Sequence, residues 1–117
     1  MIEKAPQRIL VVEDEMIVAM MLEELLVELG YVVIGPAFSV EEAMQLACEN
    51  DPDLALLDVN LDGAPSFPVA DFLRGRGVPF VFASGYGTRG LTERYVTAPM
   101  LKKPFSQEQL QEALAAA

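Results

Sequence analysis

Five short runs of apolar β-formers alternate with stretches of helical character, and that alternation restricts the fold of this chain more than any other feature. Arg8-Ile-Leu-Val-Val-Glu13, Tyr31-Val-Val-Ile34, Leu54-Ala-Leu-Leu57, Val78-Pro-Phe-Val-Phe-Ala83 and Met100-Leu-Lys102 read as strands. The first and third are apolar enough to be buried on both faces. Between the first two runs, Glu15 to Leu29 reads as a helix. At about 100° per residue, Ile17, Val18, Met21, Leu22, Leu25, Leu26 and Leu29 fall on one broad side of it. Gly30 suits the left-handed position that ends it. Ser39-Val-Glu-Glu42 is a capping box opening a helix to about Glu49, and Asn50-Asp-Pro52 breaks the chain. Pro65 to Leu73 predicts a third helix, stopped by Gly75 and Gly77. Ser106-Gln-Glu-Gln109 is a second capping box before a final helix rich in Ala and Leu. The weakest stretch, Ser84 to Pro99, carries Gly85, Gly87, Gly90 and Pro99. It predicts only a turn or so of helix near Leu91 to Tyr95.

Strand–helix alternation with short connections means a parallel sheet with helices on both faces. The expected fold class is therefore α/β: a doubly wound (βα)5 unit with five parallel strands and a reduced fourth helix. A chain of 117 residues fits one such domain and leaves no room for a second. Residues 1–7 are expected to form an N-terminal tail, and no output domain is expected.

The charge pattern excludes several functions. Eighteen acids against eight bases give 8 − 18 = −10. A chain that acidic is a poor holder of nucleic acid or of an anionic membrane. There is no His, which removes His-based catalysis, a phospho-His role and any His metal ligand. The lone Cys48 rules out an internal disulfide and fits a reducing compartment. The longest apolar run, Met16 to Leu22, has seven residues, far short of a membrane span. No signal-peptide pattern opens the chain, so a cytoplasmic location is expected. From Ile9 to Leu73 there are fourteen acids and no Lys or Arg. Most of those acids read as solvated helix faces, but some can converge on a cation, with a base arriving late in the chain.

In doubly wound sheets the functional groups sit at the carboxyl ends of the strands, near the switch in strand order. Here those ends carry Glu13-Asp14-Glu15, Asp58, Ser84-Gly85 and Lys102-Lys103-Pro104. With the order 2-1-3-4-5, Glu13, Asp14 and Asp58 crowd together. Carboxylates that close repel unless neutralised, and a hard divalent cation with oxygen ligands neutralises them. Three carboxylates supply −3; Mg2+ and one Lys supply +3.

Val-Val-Glu-Asp-Glu15, Leu-Leu-Asp58-Val-Asn60, Ala-Ser84-Gly85 and Lys103-Pro104-Phe105, in that order, resemble the marks of a bacterial response-regulator receiver domain. The likeness runs from Arg8 to the last helix and implies a flavodoxin-like fold. It implies that Asp58 is the phosphoacceptor and that Glu13, Asp14, Asp58 and the backbone carbonyl of Asn60 hold Mg2+, or Mn2+ in its place. It further implies that Lys103 binds the phosphoryl group, that the bond to Pro104 is cis, and that Ser84 is the hydroxyl that swings toward the phosphoryl oxygen. A carboxylate attacks phosphorus only when the phosphoryl charge is neutralised and held in line, which suits this residue set. Asp58-Val-Asn-Leu-Asp-Gly63, Pro68-Val-Ala-Asp71 and Pro79-Phe-Val-Phe-Ala-Ser-Gly-Tyr-Gly87 resemble the FATGUY subgroup of receivers, with Ser84 where Thr is usual. That subgroup often stands alone and works with sensor histidine kinases of the HWE or HisKA2 type, frequently in stress-response circuits. A phosphotransfer protein is the other donor so implied, and a monomer or weak homodimer is expected. Such a domain catalyses only its own phosphorylation and dephosphorylation.

Two departures from the family pattern stand out. Many receivers have an aromatic residue three before this Lys; here the position is Met100. Tyr86, two after Ser84, is expected to shape the pocket mouth instead. Met16, Met20 and Val27 lie off the core side of the first helix, among Glu23, Glu24 and Glu28, and form a candidate kinase-docking surface. Two rival readings remain. One is an interaction module that keeps the fold without using phosphorylation. The other is a small Mg2+ phosphatase of the haloacid-dehalogenase type, against which Asn60 stands where that chemistry needs a second Asp.

Overall fold

A computed structural model of the protein describes residues 6–61, 63–85, 91, 95 and 97–117. Its elements run β1 (Arg8–Val12), α1 (Met16–Glu28), β2 (Val32–Ala37), α2 (Val40–Asn50), β3 (Leu54–Asp58), β4 (Asn60–Leu61), β5 (Ala64–Pro65), α3 (Phe67–Gly75), β6 (Phe80–Ser84), β7 (Met100–Lys102) and α4 (Gln107–Ala116). Five strands form one sheet in the order β2-β1-β3-β6-β7, every neighbouring pair parallel. This is the expected doubly wound order, with β6 and β7 as its fourth and fifth strands. The order puts the end of β1 beside the end of β3, and the end of β6 beside that of β7.

The sheet divides the core in two. Leu10, Val12, Ala55, Leu57, Phe80 and Phe82 point toward α2 and α3. Ile9, Val11, Leu54, Leu56 and Val81 point toward α1 and α4. Strict alternation along each strand produces this division, since successive side chains leave opposite faces. The runs read as covered on both faces are so: residues 9–12 and 54–57 are all buried.

Helix ends follow the local chemistry. Gly30, at φ +95°, closes α1, where its N–H donates to the Val27 carbonyl and that of Tyr31 to the Leu26 carbonyl. The Ser39 hydroxyl accepts from the Glu42 N–H at 3.1 Å, but the Glu42 carboxylate accepts from Phe38 rather than from Ser39. Ser106 and Gln109 form the complete reciprocal box, at 3.1 and 2.9 Å.

Several expectations need correction. Ile17 and Met21 do not enter the core; they are 83% and 50% exposed. The α1 stripe that packs is narrower, with Ala19, Leu22 and Leu26 buried and Val18, Leu25 and Leu29 packed beside them. The reason is position in the sheet. α1 lies over β1 and the edge strand β2, and beyond that edge no described element covers its outer flank. β2 also runs past the expected Ile34 through Gly35-Pro36 to Ala37, with a register shift opposite Leu10 to Val12. Gly35 makes this possible: at φ +99°, a Cβ there would lie 2.8 Å from the Ala37 nitrogen and 3.1 Å from the Val11 carbonyl oxygen. Finally, α3 begins at Phe67, two residues later than expected, because residues before it pair as the antiparallel β4–β5 hairpin. The short helix expected near Leu91 to Tyr95 falls largely outside the described residues, as does Tyr86.

Candidate functional site

Glu13 follows β1 directly, and its N–H donates to the Ala37 carbonyl at 2.9 Å, which ties it to the end of β2. The residue is 1% exposed, a burial that a carboxylate tolerates only with partners. Two are present. Lys103 Nζ donates to Glu13 Oε1 at 2.6 Å, and the Glu15 N–H donates to Oε2 at 3.2 Å. Asp58 ends β3 beside it. Lys103 Nζ donates to Asp58 Oδ2 at 3.3 Å, and the Asn60 N–H donates to Oδ1 at 3.4 Å. Lys103 reaches both acids because its N–H is bonded to the Ser84 carbonyl at 2.9 Å, one residue beyond the end of β7. The Lys103–Pro104 peptide is cis.

Asp14 lies across from this pair. One carboxylate oxygen from each of Glu13, Asp14 and Asp58 falls within 4.8 Å of the other two. An open cleft of about 600 Å³ sits above them, lined by Asp14, Asp58, Asn60, Gly63, Ser84 and Lys103 among others. Glu13 is buried and is not part of that lining. Ser84 is 4% exposed, at the end of β6, with Ala83 paired to Asp58 across the sheet. Asn60 is exposed at the start of the β4–β5 hairpin, which makes one wall.

The electrostatics reflect the crowding of like charge. Burial pushes the Asp58 carboxyl up, the charge of Glu13 adds to that, and Lys103 offsets only part; the result is about 7, from an ordinary 3.8. Lys103 is itself held above its ordinary value. Burial works against its charged form, but its bond to Glu13 and the charge of Asp58 outweigh that. Three carboxylates and one ammonium leave a charge of −2. The donors are all oxygen and within reach of one centre, with Asp14 and Asp58 lining the cleft and Glu13 buried behind them, so the residues fit a small hard divalent cation such as Mg2+.

Of the other residues singled out, Met100 pairs with Phe82 and packs, half-buried, against the α2/α3 core. Met16, Met20 and Val27 are 64%, 61% and 59% exposed. Together with Ile17, Met21 and Val33 they present an apolar surface edged by Glu23, Glu24 and Glu28. Three features were not read from the sequence. The β4–β5 hairpin pairs Asn60 with Pro65 and Leu61 with Ala64, and the Asp-Gly dipeptide between those strands was its sequence signal. Tyr95 is fully buried, with its hydroxyl donating to Asp71. The Ser66 hydroxyl is buried with no hydrogen-bond partner among the described residues.

Comparison with known proteins agrees with this geometry. A family model described as the response regulator receiver domain matches residues 9–115. The transcriptional regulatory protein PdtaR of Mycobacterium tuberculosis (strain ATCC 25618 / H37Rv) is 34% identical over 113 residues, covering 93% of this chain and 55% of that protein. The phyllosphere-induced regulator PhyR of Methylorubrum extorquens is 43% identical over 101 residues, covering 83% of this chain and 38% of that protein. The chain thus spans about half or less of those relatives. In the solution structure of SdrG from Sphingomonas melonis Fr1 the match covers 97% of this chain and 98% of that one, with a TM-score of 0.84 and 40% identity. SdrG has also been solved in a BeF3-activated conformation, which this chain matches with a TM-score of 0.81.

Proposed function

The chain belongs to the response regulator receiver family, and from that premise we propose that it accepts a phosphoryl group on Asp58 from a phospho-His donor and changes its partner preference as a result. The observation that carries this reading is the Asp58 carboxylate itself. It lines an open cleft, pressed toward neutrality by burial and by Glu13, and held by Lys103. A group destabilised in its charged form gains from any chemistry that brings positive charge or consumes its anion.

In the step, an Asp58 oxygen forms the new O–P bond while the donor's N–P bond breaks. The electron pair of that bond, with a proton from solvent, stays on the donor imidazole. Glu13, Asp14, Asp58 and the Asn60 carbonyl would hold Mg2+, which supplies neutralisation of the phosphoryl oxygens. Lys103 supplies the remaining positive charge. Its two bonds, to Glu13 and Asp58, keep the ammonium at the cleft floor, where a phosphoryl oxygen can replace a carboxylate oxygen as acceptor. Ser84, beside Asp58 on the neighbouring strand, supplies a hydroxyl to the new group.

The α1 surface of Met16, Met20 and Val27, extended by Ile17 and Met21, is the docking face for the donor. Its methionines adapt to a partner helix bundle and its glutamates favour a basic one. The likeness to SdrG and PhyR, with the motif Phe82 to Tyr86, supports a place in the FATGUY subgroup. A kinase of the HWE or HisKA2 type and a cytoplasmic stress-response circuit follow from that placement. The domain turns over no separate substrate.

The test is a phosphate-affinity gel after incubation with acetyl phosphate and Mg2+. Wild type should give a shifted band and Asp58→Asn none. A band in both would move the phosphoacceptor elsewhere. A band in neither, repeated with a donor kinase, would favour a phosphorylation-independent module.

A further inference from the structure

The aromatic residue that the family pattern places three before Lys103 is absent, and no aromatic among the described residues lines the cleft, but a cluster of rings packs on the α3 side of β6. Ser84 and Phe82 stand two apart on β6, so both leave the sheet on the α3 side. The Phe82 ring meets Tyr95 edge-on, with centroids 5.4 Å apart. On the opposite flank, the Val59 N–H donates to the Ala83 carbonyl at 3.1 Å, and the Val59 carbonyl accepts from the Ser66 N–H at 2.9 Å. Ser66 leads directly into Phe67, whose ring stacks on Tyr95 at 5.6 Å and 16°. The backbone beside Ser84 and the backbone beside Asp58 therefore reach the same ring from two directions.

Tyr95 is also tied at its far end. Its ring is fully buried, while its hydroxyl reaches Asp71 on the exposed side of α3, one turn after Phe67. The Arg74 guanidinium lies 4.5 Å from the ring centroid. Close-packed rings cannot slide independently, because stacked and edge-on pairs have preferred geometries. Phe82 also meets Phe67, the first residue of α3, edge-on at 6.0 Å, while Tyr95 carries a shift of Phe82 farther along the helix through Asp71. The joint also holds the buried Ser66 hydroxyl, which has no partner among the described residues in this arrangement. An unpaired buried hydroxyl is costly, and an arrangement that pairs it is favoured by that amount.

We propose that Tyr95, with its hydroxyl bonded to Asp71, is the positioning residue that carries a change at Ser84 and Asp58 to α3, in place of the aromatic missing at Met100. This rests on the phosphoryl-transfer reading above. It assigns the coupling to a residue eight positions before Lys103 rather than three.

The experiment uses the nitrogen-labelled full chain with Mg2+ and beryllofluoride, a phosphoryl mimic, and follows backbone amide shifts. Tyr95→Phe keeps the ring and removes the hydroxyl. Asp71→Asn, at an exposed position, removes the acceptor charge with little risk to folding. In both variants the shift change at the α3 amides should fall about threefold relative to wild type, while the change at Ser84 and Gly85 persists. Acetyl phosphate labelling of Asp58 should stay at the wild-type level. An undiminished α3 response in both variants would overturn the proposal and leave Tyr95 as packing alone. Failure of wild type to bind beryllofluoride or to be labelled would instead overturn the phosphoryl reading, and this inference with it.

Discussion

On the face of the sheet covered by α2 and α3, ring meets ring: Phe67, Phe80, Phe82 and Tyr95 lie with centroids between 5.4 and 6.0 Å apart. On the face covered by α1 and α4 the buried set is aliphatic, with Ile9, Val11, Leu22, Leu26, Leu56 and Leu110 among its members. Aromatic pairs carry angular preferences and transmit displacement. Branched aliphatics fill space with little angular demand and tolerate exchange of shape. The aromatic face backs onto both flanks of the cleft, so it suits the relay of a change made there. The aliphatic face secures α1 by three buried residues and leaves apolar side chains on the outer side of that helix exposed. In the functions proposed above, the same sheet serves rigid coupling on one side and adaptable docking on the other.

The largest effect expected from this contrast is on stability. Phe82→Ala should cost about 4 kcal/mol and Leu26→Ala about 3 kcal/mol, measured by urea unfolding. The Phe82 variant loses three ring contacts together, whereas the aliphatic neighbours of Leu26 can partly collapse into the space its truncation leaves. The reverse order would break the comparison.

An intermediate effect is expected between the faces, at the cleft. The folded Asp58 carboxyl titrates at about 7, above its ordinary 3.8, so folding disfavours its charged form. Without divalent cations, that penalty is complete above pH 7, shrinks as pH falls toward 3.8, and vanishes below it. Asp58→Asn should therefore raise the metal-free melting temperature at pH 8 by about 5 °C. The advantage should narrow as the pH is lowered through that window. A pH-independent difference would mean that packing, not charge, sets it.

The smallest effect sharpens the docking side. Ile17→Glu and Met20→Asp should each change unfolding free energy by less than about 0.5 kcal/mol, since both side chains face solvent. Met20→Asp should slow transfer from the cognate kinase and leave labelling by acetyl phosphate unchanged. A loss of stability at Ile17 would return that residue to the core.

Much of the fold was legible because local rules and global topology agree. The five apolar runs, the Ser106 box and Gly30 each have one reading, and the parallel order places the ends of β1 and β3 side by side. The site was legible for a related reason: Glu13, Asp14, Asp58, Ser84 and Lys103 all stand at or just beyond strand ends. What was not legible depends on neighbours. Ile17 and Met21 fit a helical stripe by periodicity, and only the lack of a described element beyond β2 exposes them. β2 runs on through Gly35-Pro36, a pair that reads as a break, because β1 offers a register that accommodates the bulge.

By itself the sequence determined the alternation and which chemical groups reach the carboxyl edge, and the sheet order came with the family resemblance. It could do so because period and turn chemistry act over a few residues, and short crossovers between parallel strands do the rest. Only the tertiary structure decided that Glu13 is buried beside Asp58, that Lys103 holds two acids at once, and that Tyr95 closes an aromatic cluster onto Asp71. Those facts depend on distances between residues 24 to 90 positions apart, which no local rule contains. They are set when two faces of side chains pack to a common density against one sheet.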